Sequence, residues 1–93
     1  MKIFLTTEAK LDIKEASYWY EEKEKGLGRR FTTVIREEIA FISKNPESIA
    51  LRYKEIHTCV VSVFPYMIHY YIDNNRLVIV GILHTSLSPN KWR

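Results

Sequence analysis

The chain of 93 residues has room for one modest hydrophobic core and none for a second domain. Its 46% hydrophobic and 27% charged residues are those of a soluble globular protein. No apolar run approaches the roughly 20 residues of a membrane-spanning helix, and MKIFLTTEAK lacks the apolar stretch and cleavage site of a secretory signal, so the cytoplasm is the default location. A single cysteine, Cys59, excludes an internal disulfide and a cysteine metal cluster, as a reducing compartment would suggest.

The net charge of +3 is unevenly spread. Residues 1–47 carry nine basic and nine acidic side chains, whereas residues 48–93 carry five basic (Arg52, Lys54, Arg76, Lys91, Arg93) against two acidic (Glu55, Asp73). Such an excess is compatible with a nucleic-acid or acidic-protein partner, and equally with solubility alone.

In chain order, Lys2 to Thr6 is short and β-branched and predicts a first strand. Thr7 is placed to cap a helix over about 8 to 24, with Glu8 in the first turn. Ala9, Ile13, Ala16 and Tyr20 form its apolar stripe, and Asp12 and Glu15 fall mostly off that face. Leu11 and Trp19 lie outside the stripe and are candidate partner contacts. The segment EEKEKGLG reads as a helix-helix turn, because a phosphate-binding glycine loop normally follows a strand and this one follows a charged helix end. Leu27, Phe31, Val34, Ile35, Ile39 and Ile42 trace a second amphipathic helix, stopped at Asn45-Pro46. The two form a helical hairpin whose apolar surface needs a sheet to cover.

Arg52 to Phe64 predicts the next strand. Tyr66 to Ile72 and Leu77 to Leu83 then predict a hairpin turning at Asp73-Asn74-Asn75, with Pro65 marking the break before it. Simple alternation puts Leu77, Ile79, Gly81 and Leu83 on one face of the last strand and Val78, Val80, Ile82 and His84 on the other. Both faces are apolar, so the second needs a cover, either a partner or the tail Leu87 to Arg93.

Taken in order, Asp12-Ile13 with Ala16, Trp19-Tyr20-Glu21, Gly26-Leu27-Gly28 with Phe31, Asn45-Pro46, Phe64-Pro65-Tyr66 with Ile68 and Tyr70, and His84 with Pro89 and Trp92 resemble the RelE/ParE family of toxins from type II toxin-antitoxin systems, closest to the ParE-like, plasmid-stabilisation branch. The resemblance implies a single α+β domain of β-α-α-β-β-β order over residues 1–93, a helical hairpin on an antiparallel-rich sheet. It also implies a cognate antitoxin and a toxin-antitoxin hetero-oligomer. The target divides within the family: ParE-like members poison DNA gyrase, and RelE-like members cleave mRNA on the ribosome without a metal.

A metal-independent ribonuclease needs a base for the 2′-hydroxyl, cations for the charged phosphorane and an acid for the leaving oxygen. If this chain is a nuclease, His84, His57, Lys54 and Arg76 are the catalytic candidates, while Arg52, Lys91, Arg93 and Tyr66 are candidates for binding nucleic acid or another target. Three positions often basic in the family hold His57, Val63 and Leu87, which counts against cleavage. Each candidate also has a structural reading: Arg76 solvated at a turn, His69 packed, His84 holding the tail, the tyrosines filling a small core, and Cys59 a small buried hydrophobe. No metal ligand set and no cofactor are expected. The leading expectation is a gyrase-directed toxin; the alternatives are a ribosome-dependent mRNA interferase and a non-toxic module that only binds its antitoxin.

Overall fold

The computed structural model describes residues 1–45 and 55–86. The elements run β1 (Lys2–Leu5), α1 (Thr7–Lys23), α2 (Leu27–Lys44), β2 (His57–Val60), β3 (Tyr66–Asp73) and β4 (Arg76–His84), in the α+β order expected. One sheet has the order β1-β4-β3-β2, with β1 parallel to β4 and the other pairs antiparallel. Helices α1 and α2 cover one face. Between them and the sheet lie Ala9, Ala16, Phe31, Ile35, Ile42, Ile68, Tyr70, Leu77 and Ile79, nearly all fully buried.

Helix α1 is capped one residue earlier than expected. Thr6, not Thr7, accepts from the Ala9 amide through its hydroxyl at 3.1 Å, while the Thr6 amide donates to the Ile79 carbonyl at 3.0 Å. The last backbone bond of β1 and the first cap of α1 therefore share a residue, which adjacent threonines could not reveal. The turn into α2 uses Gly26 at φ 89, in the left-handed region. Gly28 sits in the first turn of α2 for a different reason: a Cβ there would lie 2.4 Å from the Ser17 carbonyl oxygen. The Glu21 carboxylate accepts from the Gly26 amide at 2.9 Å and the Gly28 amide at 3.0 Å, supplying the cap that Gly26 has no side chain to give.

The expected strand from Arg52 to Phe64 is shorter in fact. Among the described residues it is confined to His57–Val60; Arg52 to Lys54 lie outside them. Beyond Val61 the ladder stops: the Phe64 amide donates to Ser62 and the Tyr66 amide to Phe64, each at 2.8 Å, giving two consecutive three-residue turns around Val63 and Pro65. Val63 has φ 75, a conformation that a β-branched residue adopts only under constraint. At the other end of β3, Asn74 (φ 50) and Asn75 (φ 61) form the two-residue turn into β4. Both positive angles match a type I′ hairpin.

The simple alternation expected for β4 does not hold. His69 pairs with Gly81, but the next residue, Tyr70, pairs with Ile79, so Val80 is an extra residue in the ladder. The bulge shifts the phase by one: Ile82, opposite Ile68, and His84, opposite Tyr66, join Leu77 and Ile79 on the helix-facing side. The opposite face carries Thr58, Met67, His69 and Leu83, all buried within the chain itself; His69 is 1% exposed. That part of the second face needs no partner to cover it. The tail from Leu87 offered as its cover lies outside the described residues.

Candidate functional site

Beyond Ile79, β4 has no strand on its β1 side, because the β1 ladder ends at Leu5 opposite Ile79. The start of α1 takes over this edge. The Thr6 hydroxyl donates to the Val80 carbonyl at 3.4 Å, and Asp12 Oδ2 accepts from the Ile82 amide at 3.0 Å. Asp12 thus belongs to the inner flank of α1, a correction to its expected place off the buried face. With Glu15, Ala16 and Trp19, one and two turns further along the same side of α1, it walls a cleft of about 290 Å³. Tyr66, Ile82, Leu83 and His84 form the other wall.

Each ring in this cleft is held. Tyr66 packs edge-on against Phe31 and His84, with centroids 5.0 and 5.2 Å away, and Phe31, Tyr20 and Phe64 complete an aromatic cluster. Burial, followed by the proximity of Tyr20 and Asp12, pushes the Tyr66 phenol above its ordinary range and keeps it protonated. His84 Nδ1 accepts from the Ser86 amide at 3.1 Å and lies 2.8 Å from the Ser86 hydroxyl. The amide can only donate, so this contact selects the tautomer with its proton on Nε2. Trp19 is 54% exposed at the rim, edge-on to Tyr20.

A second concavity lies on the far side of α1. Ile3, Leu5, Ile13, Ile35 and Ile39 line an apolar groove of about 440 Å³ between β1 and the helical hairpin, and Lys10 and Arg36 stand among them. On one side it is bounded by Ile3 and Leu5 of β1, an edge strand whose outer side pairs with nothing among the described residues.

The residues singled out from the sequence are only partly brought together. His84, Tyr66 and Trp19 share the cleft. Arg76 is at the opposite end of β4, about 26 Å along the strand at 3.3 Å per residue. There it pairs with Asp73 at 3.1 Å and lies over the Phe4 ring. His57 stands opposite Tyr70 and stacks on it at 5.3 Å, apart from His84 and on the other face from His69. Leu11 is exposed on α1 but lines neither concavity. Lys54, Arg52, Lys91 and Arg93 lie outside the described residues. Cys59 is buried, 3.4 Å from the Glu38 carboxylate; burial and that carboxylate push its thiol up to about 12, which disfavours the thiolate. Sequence reasoning missed Asp12 and Glu15 as cleft residues. Their spacing with Ala16 and Trp19 already places them on one side of a helix.

The family model of the ParE toxin of the type II toxin-antitoxin system, parDE, matches residues 3–88. The chain belongs to the ParE toxin family. Among solved structures, this ParE-family chain is similar to a chain of the "Chromosomal ParDE TA system from P. aeruginosa", with a TM-score of 0.83 and 14% identity over 92% of this chain and 97% of that one. At that identity the likeness establishes a shared ParE-like fold. No curated protein matches the chain. None of the described helices is long and apolar enough to cross a membrane.

Proposed function

We propose that this ParE-family chain acts in the cytoplasm as a toxin that inhibits DNA gyrase by binding it, and that a cognate antitoxin silences it in a hetero-oligomeric complex. The observation that carries the choice of a protein target over RNA is the charge of the cleft around His84. Asp12 and Glu15 line it, and no lysine or arginine does so among the described residues. A phosphorane needs cations within contact distance, and the described lining offers the carboxylate of Glu15 instead. Arg76, the described cation nominated for that role, is held at the far end of β4.

The apolar groove beside β1 suits the antitoxin. Its floor of isoleucine and leucine fits the apolar side of an amphipathic segment, and Lys10 and Arg36 match acidic residues beside that side. Induction without antitoxin, followed by a supercoiling assay with purified gyrase, tests the reading. Growth arrest with loss of supercoiling is expected. Arrest with transcripts cut at codon-linked positions would instead establish an mRNA interferase, and normal growth with soluble protein a module that only binds its antitoxin.

A further inference from the structure

The hydrogen-bonding pattern of β1 shows which of its backbone groups are left over. The Thr6 amide donates to the Ile79 carbonyl at 3.0 Å, and Ile79 is the partner of Leu5 in the ladder. In a parallel pair the bonds to one residue come from the two residues flanking its partner, so Phe4 and Thr6 turn their backbone groups toward β4, and Ile3 and Leu5 turn theirs outward. The outer edge thus offers two amides and two carbonyls, unpaired among the described residues. Edges of this kind are commonly blunted by proline, a bulge or several charges. β1 reads Lys-Ile-Phe-Leu in continuous register, with Ile3 and Phe4 41% and 45% exposed.

The side chains of Ile3 and Leu5 line the apolar groove of about 440 Å³, whose described lining holds two cations, Lys10 and Arg36, and no carboxylate. Neither cation has an ion-pair partner among the described residues. We propose that β1 accepts a fifth strand from the antitoxin, an extended acidic segment that pairs with the backbone of Ile3 and Leu5 while its alternate side chains enter the groove. The inference rests on the groove being the antitoxin's site and adds the form in which the segment binds. A helix satisfies its own backbone and leaves the edge to water, whereas an extended chain uses the edge and the groove together. A second copy of this chain would bring the same two cations alongside, which disfavours pairing of β1 with itself.

The test titrates the full ¹⁵N-labelled chain with the blocked peptide acetyl-Thr-Val-Glu-Val-Glu-Val-Thr-amide, with its counterpart carrying lysine for glutamate, and with two N-methylated forms, one methylated at the valines and the other at the glutamates. The glutamate peptide should bind about tenfold more tightly than the lysine one at low salt and slow hydrogen exchange of the Ile3 and Leu5 amides at least tenfold. Residues alternate between facing β1 and facing away, so one N-methylated peptide should lose binding and the other keep it; methylated valines matter if the added strand is antiparallel, methylated glutamates if it is parallel. Ile3→Pro removes an outward donor without touching the bonds to β4 and should weaken binding more than Ile3→Ala. Preference for the glutamate peptide with neither amide protected and both N-methylated forms still bound would overturn strand addition and leave the groove to a helical segment. Equal binding of the glutamate and lysine peptides would overturn the inference together with the groove reading. Dimerisation of the peptide-free chain that Ile3→Pro abolishes would overturn it in favour of a second copy. Strand addition by a chain that leaves gyrase active upholds the inference and removes gyrase as the target.

Discussion

Asp12 Oδ2 accepts a hydrogen bond from the Ile82 amide at 3.0 Å, joining residues 70 apart in sequence and fixing α1 against the end of β4. The bond exists because β1 is too short to pair with β4 beyond Ile79, so a side chain completes what a fifth residue of strand would otherwise satisfy. Asp12→Ala leaves that amide without its acceptor and should cost about 2 kcal/mol, whereas Asp12→Asn keeps an oxygen in place and should cost under about 1. Urea unfolding followed by tryptophan fluorescence measures both; equal losses would show that the bond contributes nothing specific.

The Glu21 cap predicts a pH dependence. Its two bonds from Gly26 and Gly28, in that order, and then the Arg29 charge, hold the carboxyl below its ordinary value of 4.5. A depressed carboxyl contributes stability that is present above the ordinary value and is lost as pH falls through the lowered one. Glu21→Gln should therefore lower the melting temperature at pH 7, and the gap from the parent protein should close in acid. A gap that persists at pH 2 would contradict this account.

The two glycines of the same turn should respond differently to substitution. At Gly28 an added Cβ meets the Ser17 carbonyl oxygen at 2.4 Å, so Gly28→Ala should cost about 2 kcal/mol through crowding of the two helices. At Gly26 nothing lies within 4 Å and only φ 89 matters, so Gly26→Asn, which tolerates left-handed angles, should cost less than Gly26→Ala. Thermal unfolding of the three variants settles the order.

Val63 is 71% exposed and held at φ 75 by the Phe64 amide's bond to Ser62. The strain of such a turn, about 1–3 kcal/mol, outweighs the extra chain entropy that glycine brings, about 0.5–1 kcal/mol. Val63→Gly should thus raise stability slightly in denaturant titrations; a clear loss would mean the valine makes contacts that offset its backbone.

The Cys59 thiol, pushed from 9.0 to about 12 by burial and Glu38, should resist alkylation. Near pH 8 its thiolate fraction falls about a thousandfold relative to an ordinary cysteine. Iodoacetamide should label the unfolded chain and not the folded one, read as a mass shift.

Arg36 stands at the groove offered to the antitoxin. Arg36→Glu replaces attraction for an acidic segment with repulsion and should weaken the toxin-antitoxin complex about tenfold or more at low salt, with a smaller difference at high salt. Calorimetry with the purified antitoxin gives the value, and an unchanged affinity would place the antitoxin elsewhere.

Much of this architecture is legible in the chain itself. Helical periodicity at Phe31, Ile35, Ile39 and Ile42, glycines at 26 and 28, and Asn74-Asn75 between β-branched runs determine two helices, their turn and the hairpin, because each depends on neighbours a few residues apart. The ordered motifs from Asp12 to Trp92 likewise carry the family. The cleft was not legible in that way. His84 faces α1 because Val80 is an extra residue in β4, and that bulge is a property of the pairing between β3 and β4. Asp12 becomes a wall of the cleft because β1 ends opposite Ile79, leaving the Ile82 amide to a side chain from the first helix. Local spacing determined the elements. Register between distant strands decided which side chains meet, because a slip of one residue in a period of two turns every following side chain to the other face.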